Sequence, residues 1–271
     1  MRITVIEHER EAGLGYLAGW LGIACDVVRP YLGDEVPARA ADGLVVLGGA
    51  AAAWEDERSP WLPATRDLLR RAVDEGTPTL GVCLGAQLLT LACGGAVERG
   101  GNGLEVGLCE VSALPAARED RLLAGVGTVP AVQYHQDAMT RLPEGAVPLM
   151  TGSQYPNQGY RLGEAAWAVQ FHPEATPEIF ASWTYESGLD AAEDLNREVK
   201  AAEPDLVAAW RPVAQAFAAV VREGVVREGA VREGAAGAGV VREGAAGAGV
   251  VREGAAGAGV VREGAAGAGG A

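Results

Sequence analysis

An α/β fold, a central mostly parallel sheet flanked by helices, is predicted by three observations. Short apolar runs alternate with helix-compatible stretches over the first third of the chain, the pattern of βα units whose strands pair in parallel. One such run gives way to a helix through a cysteine set between two glycines, Thr79-Leu80-Gly81-Val82-Cys83-Leu84-Gly85. A later run, Ala165-Ala166-Trp167-Ala168-Val169-Gln170-Phe171, is closed by His172-Pro173-Glu174, where the proline forces the residue before it into extended backbone and ends the pairing.

The elements follow in order. Met1-Arg2-Ile3-Thr4-Val5-Ile6 alternates apolar with polar residues and is far shorter than the apolar core of a signal peptide, so 2–6 reads as the first strand. Strands at 24–28, 43–48 and 78–82 follow, with helices over Pro63 to Glu75 and Gly85 to Cys93. From Ala96 to Phe171 shorter strands and turn signals such as Leu142-Pro143-Glu144-Gly145 predict antiparallel pairing that extends the sheet. Pro177 opens a helix to Ser187, and 190–223 is helix-compatible with interruptions at Pro204 and Pro212. Trp183, Trp210 and Phe217 are expected in the core. The domain is set at 1–219, including its C-terminal helices.

The remainder, 220–271, is a low-complexity tail in which Val-Val-Arg-Glu-Gly-Ala-Ala-Gly-Ala-Gly recurs with a ten-residue period from Val240. Its glycine content makes helix costly and its valines offer little apolar surface to bury, so the tail is expected to be disordered. Glycine does not recur every third residue, which excludes collagen.

The turn at Cys83 has the makings of a nucleophile elbow. A side chain there projects from the carboxyl edge of the sheet, and the following helix turns its positive end toward the sulfur, which favours the nucleophilic thiolate. A thiolate needs a base, and the chain holds three histidines, His8, His135 and His172. His172 sits at a strand end, and Glu174, two residues on in an extended segment, points to the same side to orient the imidazole. Cys83, His172 and Glu174 are the candidate triad. His8, in the charged run Glu7-His8-Glu9-Arg10-Glu11, reads as a loop residue rather than a catalyst.

In these motifs, GVCLGAQLL and AVQFHPE, the chain resembles the class I glutamine amidotransferase domain, a flavodoxin-like fold, and the resemblance covers Met1 to about Ala219. Leu44-Val45-Val46-Leu47-Gly48-Gly49 matches the family's strand and glycine turn, which implies an oxyanion hole built from the main-chain N–H groups of Gly49 and Leu84. Gln87 resembles the residue that binds the amino-acid end of glutamine. Glu105-Val106-Gly107 and His135-Gln136-Asp137 match two supporting segments, and His135 is thereby a candidate substrate contact. Trp54 to Leu62 is similar to free-standing relatives of the GMP synthase amidotransferase domain, and γ-glutamyl peptidases share the pattern. One departure stands out: Ala50-Ala51-Ala52-Ala53 follows the glycine turn where many members place proline and a small polar residue.

The resemblance implies hydrolysis of a γ-glutamyl amide through a γ-glutamyl thioester, with glutamine or a γ-glutamyl compound as ligand and no cofactor. The 219 residues before the tail leave no room for a fused ammonia-using synthetase, so the chain either serves such a synthetase in trans, works alone as a γ-glutamyl hydrolase or peptidase, or is a non-catalytic regulatory relative. A net charge of −14 and the absence of a Lys/Arg cluster exclude nucleic acid as a partner. Cys25, Cys83, Cys93 and Cys109 lack paired metal-ligand spacing, so no metal is expected. No apolar stretch is long enough to cross a membrane, and a reducing cytoplasm suits a catalytic thiol.

Overall fold

The four early apolar runs become β1 (Arg2–Ile6), β2 (Ala24–Val28), β3 (Gly43–Val46) and β4 (Thr79–Val82) in a computed structural model that describes residues 1–239, with side-chain surroundings to 226. Between them lie α1 (Leu17–Trp20) and α2 (Leu62–Glu75), and α3 (Leu84–Ala92) follows β4. The chain continues through β5 (Ala96–Arg99), β6 (Glu105–Ala113), β7 (Thr128–His135), β8 (Asp137–Arg141), β9 (Val147–Gly152), β10 (Gly159–Leu162) and β11 (Ala166–Val169). The helices α4 (Pro177–Glu186), α5 (Ala192–Ala201) and α6 (Glu203–Gly239) complete the described chain.

Nine strands form one mixed sheet in the order β2-β1-β3-β4-β11-β10-β9-β6-β7. The first five run parallel, and the rest add antiparallel, as the reversing turns of the middle sequence imply. The strands β5 and β8 pair separately as a two-stranded ribbon.

The β3 strand is buried along its whole length, and its period-2 alternation feeds two cores. Leu44 and Val46 join Leu62, Leu68, Leu69, Leu84 and Leu88 on the side covered by α2 and α3. Val45 and Leu47 join Ile3, Val82, Phe171, Phe180, Trp210 and Phe217 on the side covered by α1, α4 and α6. Trp183, Trp210 and Phe217 are all buried. At the start of α4 the Thr176 hydroxyl accepts from Ile179 N–H at 3.2 Å, a side-chain N-cap that fixes where the chain turns after Glu174.

The C-terminal stretch departs from the sequence expectation. The helical break falls at Ala202, between α5 and α6, while Pro212 lies inside α6. A proline there forfeits one helical hydrogen bond, but Trp210, Val213, Ala214 and Phe217 bury the same stretch against the sheet. The expected boundary at 219 also falls within this helix, which continues past the helix-compatible stretch ending at 223, so that 224–239 are helical where a disordered tail was expected. Val220 and Val221 are buried, and Arg222 donates to the carbonyls of Leu21 and Gly22 at 3.3 Å each, so the first Val-Val-Arg unit packs as part of the domain. Residues 240–271 of the repeat lie outside the described residues.

Candidate active site

The β4 and β11 strands pair in register, Val82 opposite Val169, so whatever follows the two strands is brought together at the carboxyl edge of the sheet, where open α/β sheets bind ligands. Cys83 follows one and His172 the other. Cys83 N–H closes the ladder on Val169 O at 2.8 Å, and the chain then turns with Cys83 at φ 50°, ψ −107°, the one non-glycine residue with positive φ among those described. Such a conformation costs about 1–3 kcal/mol and persists only where the surroundings impose it. They do so here: a Cβ on Gly85 would stand 2.0 Å from Val46 O, and one on Gly81 2.7 Å from Gly85 O.

His172 is fixed by its N–H bond to Val132 O at 2.9 Å and by Nδ1, which faces Glu174 Oε1 at 2.7 Å. With a carboxylate on Nδ1, that nitrogen carries a proton and Nε2 is left for the cysteine. Glu174 is 1% exposed, and its carbonyl accepts from Tyr16 N–H at 2.9 Å. Gly48 locates the pair: a Cβ there would lie 2.9 Å from His172 Cε1 and 3.6 Å from Cys83 Cβ, so both side chains flank one bare stretch of backbone. Burial opposes charge on His172, but the negative fields of Glu174 and Cys83, with hydrogen bonds to both, outweigh it and hold the imidazole well above its usual range.

Among the described residues no protein acceptor engages the N–H groups of Gly49 or Leu84. Gly49 lines the cavity beside Cys83 and His172, and Leu84 opens α3 directly after the cysteine. That cavity encloses about 290 Å³, enough for an amino-acid-sized ligand with few convergent polar groups.

Gln87 lines it too. Its Nε2 donates to Asp137 O at 3.0 Å and Gln170 Oε1 at 3.3 Å, which leaves Oε1 as the atom with acceptor capacity to offer a ligand. His135 is in the wall, but Nδ1 faces Asp137 O at 2.9 Å and Nε2 faces Glu105 Oε2 at 2.8 Å. Both ring nitrogens are thus committed within the protein, and His135 braces the 135–137 turn. The Glu105 and His-x-Asp segments singled out in the sequence meet at that bond.

Four wall residues carried no sequence signal for this site. Arg99 pairs with Asp137 at 2.9 Å. Trp183 lays its ring 4.6 Å from that of His172 and donates Nε1–H to Glu11 O at 3.0 Å. Glu9 and Glu186 also line the cavity. His8, read as a loop residue, is 4% exposed; its Nδ1 accepts from Trp61 Nε1–H at 3.0 Å, and burial pushes its pKa down to about 4. No group of three or more His, Cys, Asp or Glu side chains among the described residues is disposed to hold a metal ion, and no described helix is long and apolar enough to cross a membrane.

Comparison with known proteins points to one family. The model of the family glutamine amidotransferase class-I matches residues 18–188. Gamma-glutamyl peptidase 4 of Arabidopsis thaliana is 30% identical over 150 residues, 54% of this chain and 59% of the relative. The glutamine-hydrolyzing GMP synthase of Wolinella succinogenes is 34% identical over 160 residues, 56% of this chain and 29% of the relative. The chain therefore spans less than two thirds of either relative. Among solved structures, a glutamine amidotransferase from Thermotoga maritima superposes with a TM-score of 0.70 at 24% identity, covering 80% of this chain and 98% of that one. One from Methylobacillus flagellatus gives 0.69 at 26% identity, covering 82% and 94%.

Proposed function

The chain belongs to the class-I glutamine amidotransferase family, and we propose that it hydrolyses a γ-glutamyl amide with Cys83 as nucleophile, His172 as general base and acid, and Glu174 as the group that orients and charges the imidazole. The observation that carries this reading is the placement of a strained cysteine and a carboxylate-bound histidine on either side of Gly48 at adjacent strand ends.

In the reaction, His172 Nε2 takes the Cys83 proton, and the raised proton affinity of the ring suits it to hold that proton while sulfur attacks the γ-carbonyl carbon. Charge builds on the carbonyl oxygen, where the N–H groups of Gly49 and Leu84 receive it. The imidazolium protonates the nitrogen, the C–N bond breaks, and ammonia or an amine departs from a γ-glutamyl thioester. His172 then deprotonates water, which attacks the thioester; glutamate leaves and the thiol is restored. Gln87 Oε1 accepts from the amino-acid end of the substrate, while His135 supports the wall instead of bonding to the ligand. No cofactor enters these steps.

Two modes of work fit this chemistry. Similarity to GMP synthases supports ammonia supply to a synthetase in trans, and similarity to a γ-glutamyl peptidase over 59% of that protein supports a self-sufficient hydrolase. Glutamate release by wild type and Cys83→Ala, with glutamine and a γ-glutamyl dipeptide in parallel, separates them. Cys83-dependent turnover of the dipeptide without a partner supports the hydrolase, and turnover of glutamine that rises only with an added synthetase supports ammonia supply. Equal activity in the two proteins removes the mechanism.

A further inference from the structure

The departure at Ala50 has a structural counterpart. Where many family members carry proline directly after the glycine turn, this chain carries alanine and therefore keeps a backbone N–H. That N–H donates to Glu9 Oε2 at 3.0 Å. Across residues 48–51 it is the one hydrogen bond among the described residues. Further along, the turn closes on itself: Ala52 N–H donates to Glu55 Oε2 at 3.0 Å, and Ala52 O accepts from Glu55 N–H at 2.9 Å. The stretch bearing the Gly49 N–H thus has a single polar anchor.

Glu9 projects from a firmly held platform. Glu7, two residues before it, donates its N–H to Val28 O at 3.0 Å and accepts from Arg29 at 2.7 Å and Tyr31 at 2.9 Å. Two residues after it, Glu11 O accepts from the Trp183 indole, and Tyr16 N–H holds Glu174 O. The loop that positions Glu174 and Trp183 around His172 therefore also holds the far side of the glycine turn.

We propose that Glu9 is a positioning residue for the oxyanion turn: its carboxylate takes the Ala50 N–H and fixes the Gly48-Gly49-Ala50 backbone. The consequence for the reaction rests on the amide-hydrolysis reading above, but the restraint itself does not. A charge-assisted hydrogen bond onto a backbone amide is strong enough to set the orientation of a short turn, and misplacing one oxyanion donor slows the transition state without weakening substrate binding.

The test pairs amide hydrogen exchange over residues 48–52 with steady-state kinetics on the γ-glutamyl substrate, for Glu9→Ala, Glu9→Gln and Glu9→Ala/Ala50→Pro. Glu9→Ala is expected to speed exchange about tenfold or more and to lower kcat by about ten- to a hundredfold with KM nearly unchanged. Glu9→Gln keeps an acceptor oxygen and retains most of both. Ala50→Pro in the Glu9→Ala background returns kcat to within a few-fold of wild type. Unchanged exchange in Glu9→Ala overturns the proposal, as does a rise in KM at constant kcat or a loss that proline does not recover. If wild type shows no Cys83-dependent turnover, the functional reading fails, and the exchange rates alone still decide whether Glu9 holds the turn.

Discussion

Two of the three buried histidines at the carboxyl edge of the sheet have surroundings that give them opposite characters. His172, after β11, faces a buried carboxylate and the Cys83 sulfur, and is held toward its charged form. His8, after β1, is held neutral by burial, and the indole N–H of Trp61, which can only donate, makes its Nδ1 the acceptor. Their exposures are the same, 4% each. Burial alone therefore does not decide what a histidine does: the negative groups beside His172 overcome it, whereas beside His8 burial prevails and the indole sets only which nitrogen carries the proton.

The most direct way to break this comparison is to remove each ring. His172→Gln is expected to lower kcat by about a thousandfold or more, because it deletes the proton acceptor of the nucleophile. His8→Asn keeps an acceptor for Trp61 and should stay within about tenfold of wild type. Equal losses would mean that His8 belongs to the reacting machinery and that the difference in partners has been misread. Glu174→Gln should fall between the two, about a hundredfold or more in kcat, since the ring survives but loses its charge partner.

The pH dependence of stability sharpens the contrast, because the two rings require opposite signs. His172 is raised in the fold to about 10, so its contribution is fully present below the unfolded value near 6.5 and drains away as pH rises from there through about 10. The melting-temperature gap between wild type and Glu174→Gln should accordingly narrow over that alkaline window. His8 is lowered to about 4, so the unfolded chain binds more protons between about 4 and 6.5 and stability falls as pH drops through that range. The gap between wild type and His8→Asn should shrink toward acid. Two slopes of the same sign would contradict the assignment of one ring.

These two sites were not equally legible in the sequence. Cys83 and His172 could be read because each ends an apolar run with an unmistakable local mark, Gly-Val-Cys-Leu-Gly in one case and His-Pro-Glu in the other, and pairing of β4 with β11 does the rest. His8 could not: it lies in Glu7-His8-Glu9-Arg10-Glu11, which looks solvated, and its burial depends on Arg29 and Tyr31 answering Glu7 and on Trp61 crossing from another segment. The Arg99–Asp137 pair, the Glu9–Ala50 bond and the Trp183 ring on His172 are equally non-local. Residues that act through long-range loop contacts leave no periodicity behind. The run of α6 through Pro212 and past 223 was missed for a related reason: glycine and proline argue against helix locally, and the burial of Val213, Phe217, Val220 and Val221 that overrides them is tertiary.

The finest test of the difference lies in one indole. Trp61→Phe removes the only donor described for His8 Nδ1 while keeping an aromatic ring between β1 and α2. An unpaired buried acceptor costs about 1–3 kcal/mol, less where water reaches it, and Trp61 is only partly buried, so about 1 kcal/mol of stability is expected to go. Activity should change little, since the ring stays neutral through burial rather than through the indole. The tautomer, however, loses its instruction: nitrogen chemical shifts of His8 should report a proton on Nε2 in wild type and a mixture in the variant, with those of His172 unmoved because Glu174 still governs it. A His8 tautomer unaffected by the substitution would mean that something other than Trp61 sets it.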